Sequence, residues 1–186
     1  MVVKIASGIL AGALIAMAWH GSARAGTVDL GVGGHSVRGS VGVRLPPPNM
    51  ELDVGWLHND DGRDVASVGV HFAETLGKLG IEAAIGARGY YADAVDADGG
   101  AVALGGRVAV PIRPVPRLWV GGDVYFAPNA SSFGDLDKFY EVGAAVEYRV
   151  LSRAGLYAGV RRLRADLDAG SVTVDDDVHF GIRFRF

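Results

Sequence analysis

The chain has no cysteine, so it can form neither a disulfide nor a thiolate metal site. Beyond residue 25 it has no apolar run long enough for a membrane helix, and scarcely any segment keeps a helical period. It also has no excess of positive charge: the formal net charge is −3, which argues against a general nucleic-acid binder. What is present is 186 residues, 28 of them glycine and 49% hydrophobic, a length that suits one domain.

The first segment reads as a cleavable secretory signal peptide over residues 1–25. A single early charge, Lys4, precedes an apolar run from Ile5 to Trp19, and Ala23-Arg24-Ala25 has the small-x-small form of a cleavage site. A retained membrane helix fits less well, because the run is short, contains Gly8 and Gly12, and lacks a basic stop-transfer flank. Cleavage after Ala25 is expected. It removes Lys4 and Arg24 and no acid, so the charge moves from −3 to −5.

Residues 26–186 alternate. Val28, Leu30 and Val32 share one face, and Val37, Val41 and Val43 carry the apolar positions after Gly33-Gly34, so the phase flips there. A two-residue hairpin at the two glycines would set Leu30 opposite Val37 and Val28 opposite Gly39; the alternative is one long strand with a bulge. Further period-two stripes follow, among them Leu52, Val54, Trp56; Ala66, Val68, Val70, Phe72; Ile81, Ala83, Ile85, Ala87; and, last, Val178 to Phe186. The opposite faces carry Glu51, Asp53, Arg88, Arg107, Asp123, Glu141, Glu147 and Arg161 together with Gly39, Gly69, Gly86, Gly121 and Gly143.

Alternation alone fits a soluble sandwich as well as a membrane barrel. Aromatic placement separates them. With the final residue at the periplasmic end and strands alternating in direction, Phe72, Trp119, Tyr148, Tyr157, Phe184 and Phe186 fall near one rim. Trp56, Tyr90, Tyr91, Phe126, Phe139, Tyr140 and Phe180 fall near the other, as two interfacial girdles. Short turns are expected at the periplasmic side and mostly longer loops outside. The expected fold is an all-β, antiparallel up-and-down transmembrane barrel of about ten strands, with eight as the alternative. Arg162 interrupts the pattern: the strand ends by Val160, a bulge reverses its phase, or the side chain reaches the headgroups.

The ending Phe180-Gly181-Ile182-Arg183-Phe184-Arg185-Phe186 resembles the aromatic-terminated last strand that bacterial barrel-assembly machinery reads. The Gly-rich alternating strands and terminal aromatic resemble the YfaZ-like family of small proteobacterial outer-membrane proteins. The resemblance implies a Gram-negative outer-membrane location and brings no catalytic motif.

Thirteen of the sixteen Asp fall in four expected external loops: Asp60, Asp61, Asp64; Asp93, Asp96, Asp98; Asp135, Asp137; and Asp166, Asp168, Asp175, Asp176, Asp177. Turn formation and solubility account for them without a ligand. The sharper reading is that Asp96, Asp98, Asp175, Asp176 and Asp177 supply oxygen ligands for Ca²⁺ or Mg²⁺, bridging the loops to lipopolysaccharide phosphates. Asp96-Ala97-Asp98-Gly99 is a fragment of a calcium loop without the Glu and helices of an EF-hand.

A rim hydrolase would use Asp177 to orient His179, two residues away on one inward face. No further acids to position a water stand out, and no catalytic residue is assigned. His35-Ser36 pairs a hydroxyl with an imidazole, but adjacent strand residues face opposite ways. The functional expectation is a non-enzymatic barrel with a structural or surface-interaction role and a lumen mostly closed by Arg-carboxylate pairs. The alternatives are a narrow small-ion channel and a soluble periplasmic lipid-binding β-protein. Expected partners are outer-membrane lipids, lipopolysaccharide and the assembly machinery, with no nucleic acid.

Overall fold

The computed structural model describes residues 25–45, 49–94, 97–167 and 170–186. The expected leader, apart from Ala25, lies outside them, as do Pro46 to Pro48, Asp96 and Asp168. The strands are β1 (Ala25–Gly33), β2 (Ser36–Arg44), β3 (Met50–Asn59), β4 (Arg63–Leu76), β5 (Ile81–Ala94), β6 (Ala97–Pro111), β7 (Leu118–Ala127), a short β8 (Ser132–Gly134), β9 (Leu136–Tyr148), β10 (Ala154–Leu167) and β11 (Gly170–Arg185). Ten of them pair antiparallel in an up-and-down ring that closes through β1 with β11, while β8 only adds a few pairs to the end of β6. The start of β1 and the end of β11 sit at one rim, here the terminal rim; the other is the distal rim.

Period-two alternation builds the wall because successive side chains leave a strand on opposite faces. Outside runs a continuous apolar belt in which Ile85 and Leu104 are each 70% exposed. Inside, charged, small and aromatic side chains are buried. The first hairpin forms as expected but its two-residue turn is Gly34-His35, one position later than the glycine pair. Leu30 therefore stands opposite Gly39, and Val28 opposite Val41. This also puts Gly39 on the apolar outer face with Leu30, not on the inner one.

Other expectations need correcting. Phe72, Tyr148, Phe184 and Phe186 are exposed outside near the terminal rim, and Trp56, Tyr91 and Phe126 near the distal rim; Phe180 is also exposed outside but lies in the terminal half of β11, not at the distal rim. Trp119, Tyr157, Tyr90 and Phe139 are not girdle residues; each shares its strand face with buried charges and points inward. Nor do long loops crown the distal rim. Its turns are short apart from residues 128–135, because the Asp-rich segments extend the strands: Asp64, Asp93, Asp98, Asp137, Asp166 and Asp175 to Asp177 all lie in strands. Arg162 does stay outside, exposed, with its Nε and Nη2 donating to Asp176 Oδ2 at 3.1 and 2.6 Å. The phase slips only beyond it, at a bulge in the β10–β11 pairing after Leu163.

The β1–β2 hairpin is shorter than its neighbours. Above its turn Asn59 Nδ2 donates to Val174 O at 2.9 Å and Arg63 Nη1 to Thr173 O at 2.9 Å, tying β3 and β4 to β11 across the gap. Elsewhere the interior is tightened by glycine. His71, Gly86, Gly105 and Tyr125 form one cross-strand row through β4, β5, β6 and β7, and His71 Nε2 meets the Tyr125 hydroxyl at 2.9 Å over the two glycines. A Cβ at Gly86 would stand 2.0 Å from Val70 O, and one at Gly105 2.0 Å from Val124 O. At Gly39 the nearest atom would be 3.7 Å away.

Gly86→Ala and Gly105→Ala should each destabilise the barrel by about 1–3 kcal/mol, the usual cost of forcing extra atoms into a packed interior. Gly39→Ala should leave it unchanged. The readout is the temperature at which the folded band disappears on a denaturing gel.

Candidate functional site

The lumen is layered along its axis. Toward the distal rim an apolar layer fills it: Leu57, Val65, Tyr90, Ala101, Phe139, Leu163 and Val174 pack as one buried cluster. Eight of the wall strands contribute to that cluster, all but β1 and β2. The Tyr90 and Phe139 rings meet with centroids 4.3 Å apart.

Just below sits Glu141, 2% exposed. Its carboxylate faces three arginines from three other strands: Arg38 at 3.2 Å, Arg88 at 3.5 Å and Arg161 at 3.8 Å. The Tyr90 hydroxyl donates to it from above. Arg88 turns its other side to Asp53 Oδ1 at 3.0 Å and lies over the Tyr125 ring at 4.3 Å. Asp53 Oδ2 is also 2.9 Å from His71 Nδ1, without the alignment of a hydrogen bond, so neither atom has a bonded partner.

Beneath this cluster the lumen opens into a polar cavity of about 250 Å³, lined from Arg38 and Arg161 down to Arg44 and Glu82 near the terminal rim. Asp123 projects into it. No cation lies within ion-pair distance of Asp123 among the described residues, and its Oδ2 is buried with no hydrogen-bond partner.

At the terminal mouth a second ring of charge closes in. Arg183 Nε donates to Asp29 Oδ2 at 2.9 Å, and its Nη1 to Glu147 Oε2 at 2.9 Å. Arg185 joins Glu147 at 2.7 Å, Arg149 reaches Glu82 at 3.0 Å, and Arg107 pairs with Glu51. Arg149 also covers the Trp119 ring at 3.5 Å, and the Tyr157 hydroxyl donates to Asp29 at 2.7 Å.

The residues singled out as metal ligands are dispersed. Asp175 and Asp176 point to opposite faces: Asp175 accepts from Ser36 Oγ at 3.0 Å inside the barrel, and Asp176 holds Arg162 outside. Asp177 returns to the inner face, beside the β1–β2 turn. Asp98 accepts from the Tyr91 hydroxyl at 3.0 Å on the exposed surface. Asp96 lies outside the described residues.

Asp177 and His179 do share the inner face. Among the described residues, however, no carboxylate lies within ion-pair distance of the His179 ring; its neighbours are Arg161, 3.5 Å away, and the edge of Tyr157. His35 and Ser36 diverge, His35 staying in the exposed turn within 3.9 Å of Asp60.

The sequence pattern places Arg88, Asp123, Glu141, Glu147, Arg161 and His179 on the inner face, but not Tyr125, Tyr157 and His71, which the structure also brings into the lumen. Strict parity would have found these. Tyr125 lies between outward Val124 and Phe126, Tyr157 between outward Leu156 and Ala158, and His71 between outward Val70 and Phe72.

A closed antiparallel barrel, apolar outside and ion-paired inside, is the architecture of an outer-membrane β-barrel protein. The family model described as "YfaZ precursor" matches residues 3–186. Outer membrane protein YfaZ of Escherichia coli (strain K12) is 31% identical over 186 residues, covering 98% of this chain and 99% of that protein. The chain belongs to the YfaZ family and is an outer-membrane protein, not the soluble periplasmic binder that alternation alone had left open.

Among solved structures the chain is similar to the KdgM porin, with a TM-score of 0.46 and 9% identity over 87% of this chain and 99% of that one. It is also similar to the outer membrane channel DcaP of Acinetobacter baumannii, with a TM-score of 0.43 and 14% identity over 85% of this chain; it spans 54% of DcaP's length.

Glu141→Gln would leave Arg38 with no carboxylate within ion-pair distance among the described residues, and Arg88 and Arg161 with Asp53 and Asp175 alone; removing one partner of a buried ion pair costs about 3–5 kcal/mol. The variant should unfold at markedly lower urea concentration than the parent. Asp60→Asn, at an exposed turn, should not.

Proposed function

We propose that this protein is a closed outer-membrane barrel that works by contact at the cell surface and conducts nothing. The terminal rim faces the periplasm and the acidic distal rim faces outward. The observation that carries this reading is the apolar layer around Phe139 and Leu163, which fills the lumen at the level where a conducting path would have to leave it. Water and ions do not cross a close-packed apolar layer several side chains deep without displacing it.

The distal carboxylates that point away from the lumen, such as exposed Asp60, Asp61 and Asp98, provide the surface for that contact. In this reading Ca²⁺ or Mg²⁺ joins them to lipopolysaccharide phosphates, since both ions take oxygen ligands. The leader directs export and is removed after Ala25. The last strand, ending at Phe186, is what the assembly machinery engages.

A second reading, a narrow small-ion channel, draws on the cavity of about 250 Å³ and on Asp123 within it. It requires the apolar layer to move aside.

Purified barrel in a planar bilayer should show no current steps above baseline. Discrete openings in the unaltered protein would replace the closed reading with the channel. The paired change Phe139→Ala with Leu163→Ala should introduce conductance while the folded band persists on an unboiled gel. In bilayers containing lipopolysaccharide, calcium should raise the unfolding temperature and a chelator should lower it; indifference to both would remove the cation from the proposal.

A further inference from the structure

The loops of the terminal rim carry a positive charge that no ion pair among the described residues answers. Every inward arginine discussed above has a carboxylate within ion-pair distance. Lys78, Arg113, Arg117 and Arg153 have none among the described residues. They belong to three successive loops at this rim, 77–80, 112–117 and 149–153. On the outward strand ends beside them the acidic side chain is Glu74.

Two of these cations are fixed by carbonyls. Arg113 Nη2 donates to Lys78 O at 3.4 Å, linking its loop to the one before, and Arg117 Nη1 donates to Val150 O at 3.2 Å, linking it to the one after. A carbonyl orients a guanidinium without neutralising it, and leaves most of its five donors free. Arg117 holds a φ of 72°, a left-handed conformation that glycine adopts without strain. What arginine adds at that turn is its side chain.

The same loops expose apolar side chains. Leu79 is 52% exposed, Val115 45% and Leu151 64%, each within two residues of one of the cations. Such residues suit a loop in the headgroup layer, with the apolar chain in the acyl boundary and the cation at the phosphates. Outward Phe72, Tyr148 and Phe184 bring the lipid-facing belt up to this rim.

We infer that the three terminal-rim loops form a binding surface for anionic phospholipid headgroups in the leaflet they face. The partner is a lipid with a net negative phosphate headgroup. The distal rim, dominated by carboxylates, has the opposite preference. This inference requires that the barrel span a bilayer; it does not depend on whether the lumen conducts or the distal acids bind cations.

The test uses the full barrel refolded into vesicles of phosphatidylcholine with a minor fraction of phosphatidylglycerol. The fraction of spin-labelled phosphatidylglycerol immobilised at the protein is compared with that of spin-labelled phosphatidylcholine. A basic residue near an anionic surface contributes a factor of about five in association, so the unaltered barrel should favour phosphatidylglycerol several-fold, and high salt should weaken the preference. The quadruple variant K78Q/R113Q/R117Q/R153Q should lose it. Lys78→Gln with Arg153→Gln leaves both arginine-carbonyl links intact and should lose part of it, so the outcome does not rest on how well the quadruple variant folds. Asp60→Asn with Asp61→Asn, at the other rim, should change nothing. No preference in the unaltered barrel, or one that both loop variants keep in full, would overturn the inference.

Discussion

A strand edge in hydrocarbon has nothing to bond. Water is absent, each unpaired amide or carbonyl costs several kcal/mol, and the sheet has to return to its own beginning. Here that return is the ladder between β1 and β11, sealed at its end by Gly26 and Phe186, whose amides and carbonyls exchange bonds at 2.8 and 3.0 Å. Closure decides the placement of everything else. Once the wall is a ring, parity alone gives each side chain to lipid or to lumen, and most charges of the wall are gathered into a narrow interior.

The interior meets that demand by alternating large groups with none. Asp53, Gly69 and Arg88 lie in one cross-strand row, as do Asp123, Gly143 and Arg161; the glycine between lets the side chains of flanking strands spread over it. Ion pairs taken out of water are weak sources of stability, because desolvation offsets most of their attraction. Their work here is to fill a space that parity reserves for polar residues. Toward the distal rim the filling changes, and the lumen is packed with Leu57, Val65, Phe139 and Leu163 instead.

Period-two alternation was enough to reveal the barrel, its ten-strand ring and most of the charged lumen, because lipid enforces that alternation strictly. Three features escaped it, each for a physical reason. The first turn moved from Gly33-Gly34 to Gly34-His35, since both placements keep the same residues facing lipid and only the cross-strand pairing distinguishes them. Tyr90, Phe139, Trp119 and Tyr157 were assigned by height to the girdles, although their parity pointed inward; aromatic rings also serve as lumen filler and as hydrogen-bond donors to buried carboxylates. The aspartates read as loops because aspartate favours turns, yet in β4, β5, β6, β10 and β11 the pairing continues through them. A ladder already nucleated by its apolar stretch carries poor strand formers along.

The bonds between Gly26 and Phe186 also bear on kinetics. Nine of the ten wall seams join neighbours in sequence, apart from the short β8 insertion, and need only modest loops to close. The tenth joins the first wall strand to the last. That seam has the highest contact order in the molecule, so it carries the largest entropic penalty and should form last. Until the final residues arrive, β1 presents an open edge able to recruit any passing strand. A chain of this design is exposed to aggregation for as long as it takes its last segment to reach its first, and anything that shortens that interval by holding the last strand in place acts as a folding catalyst.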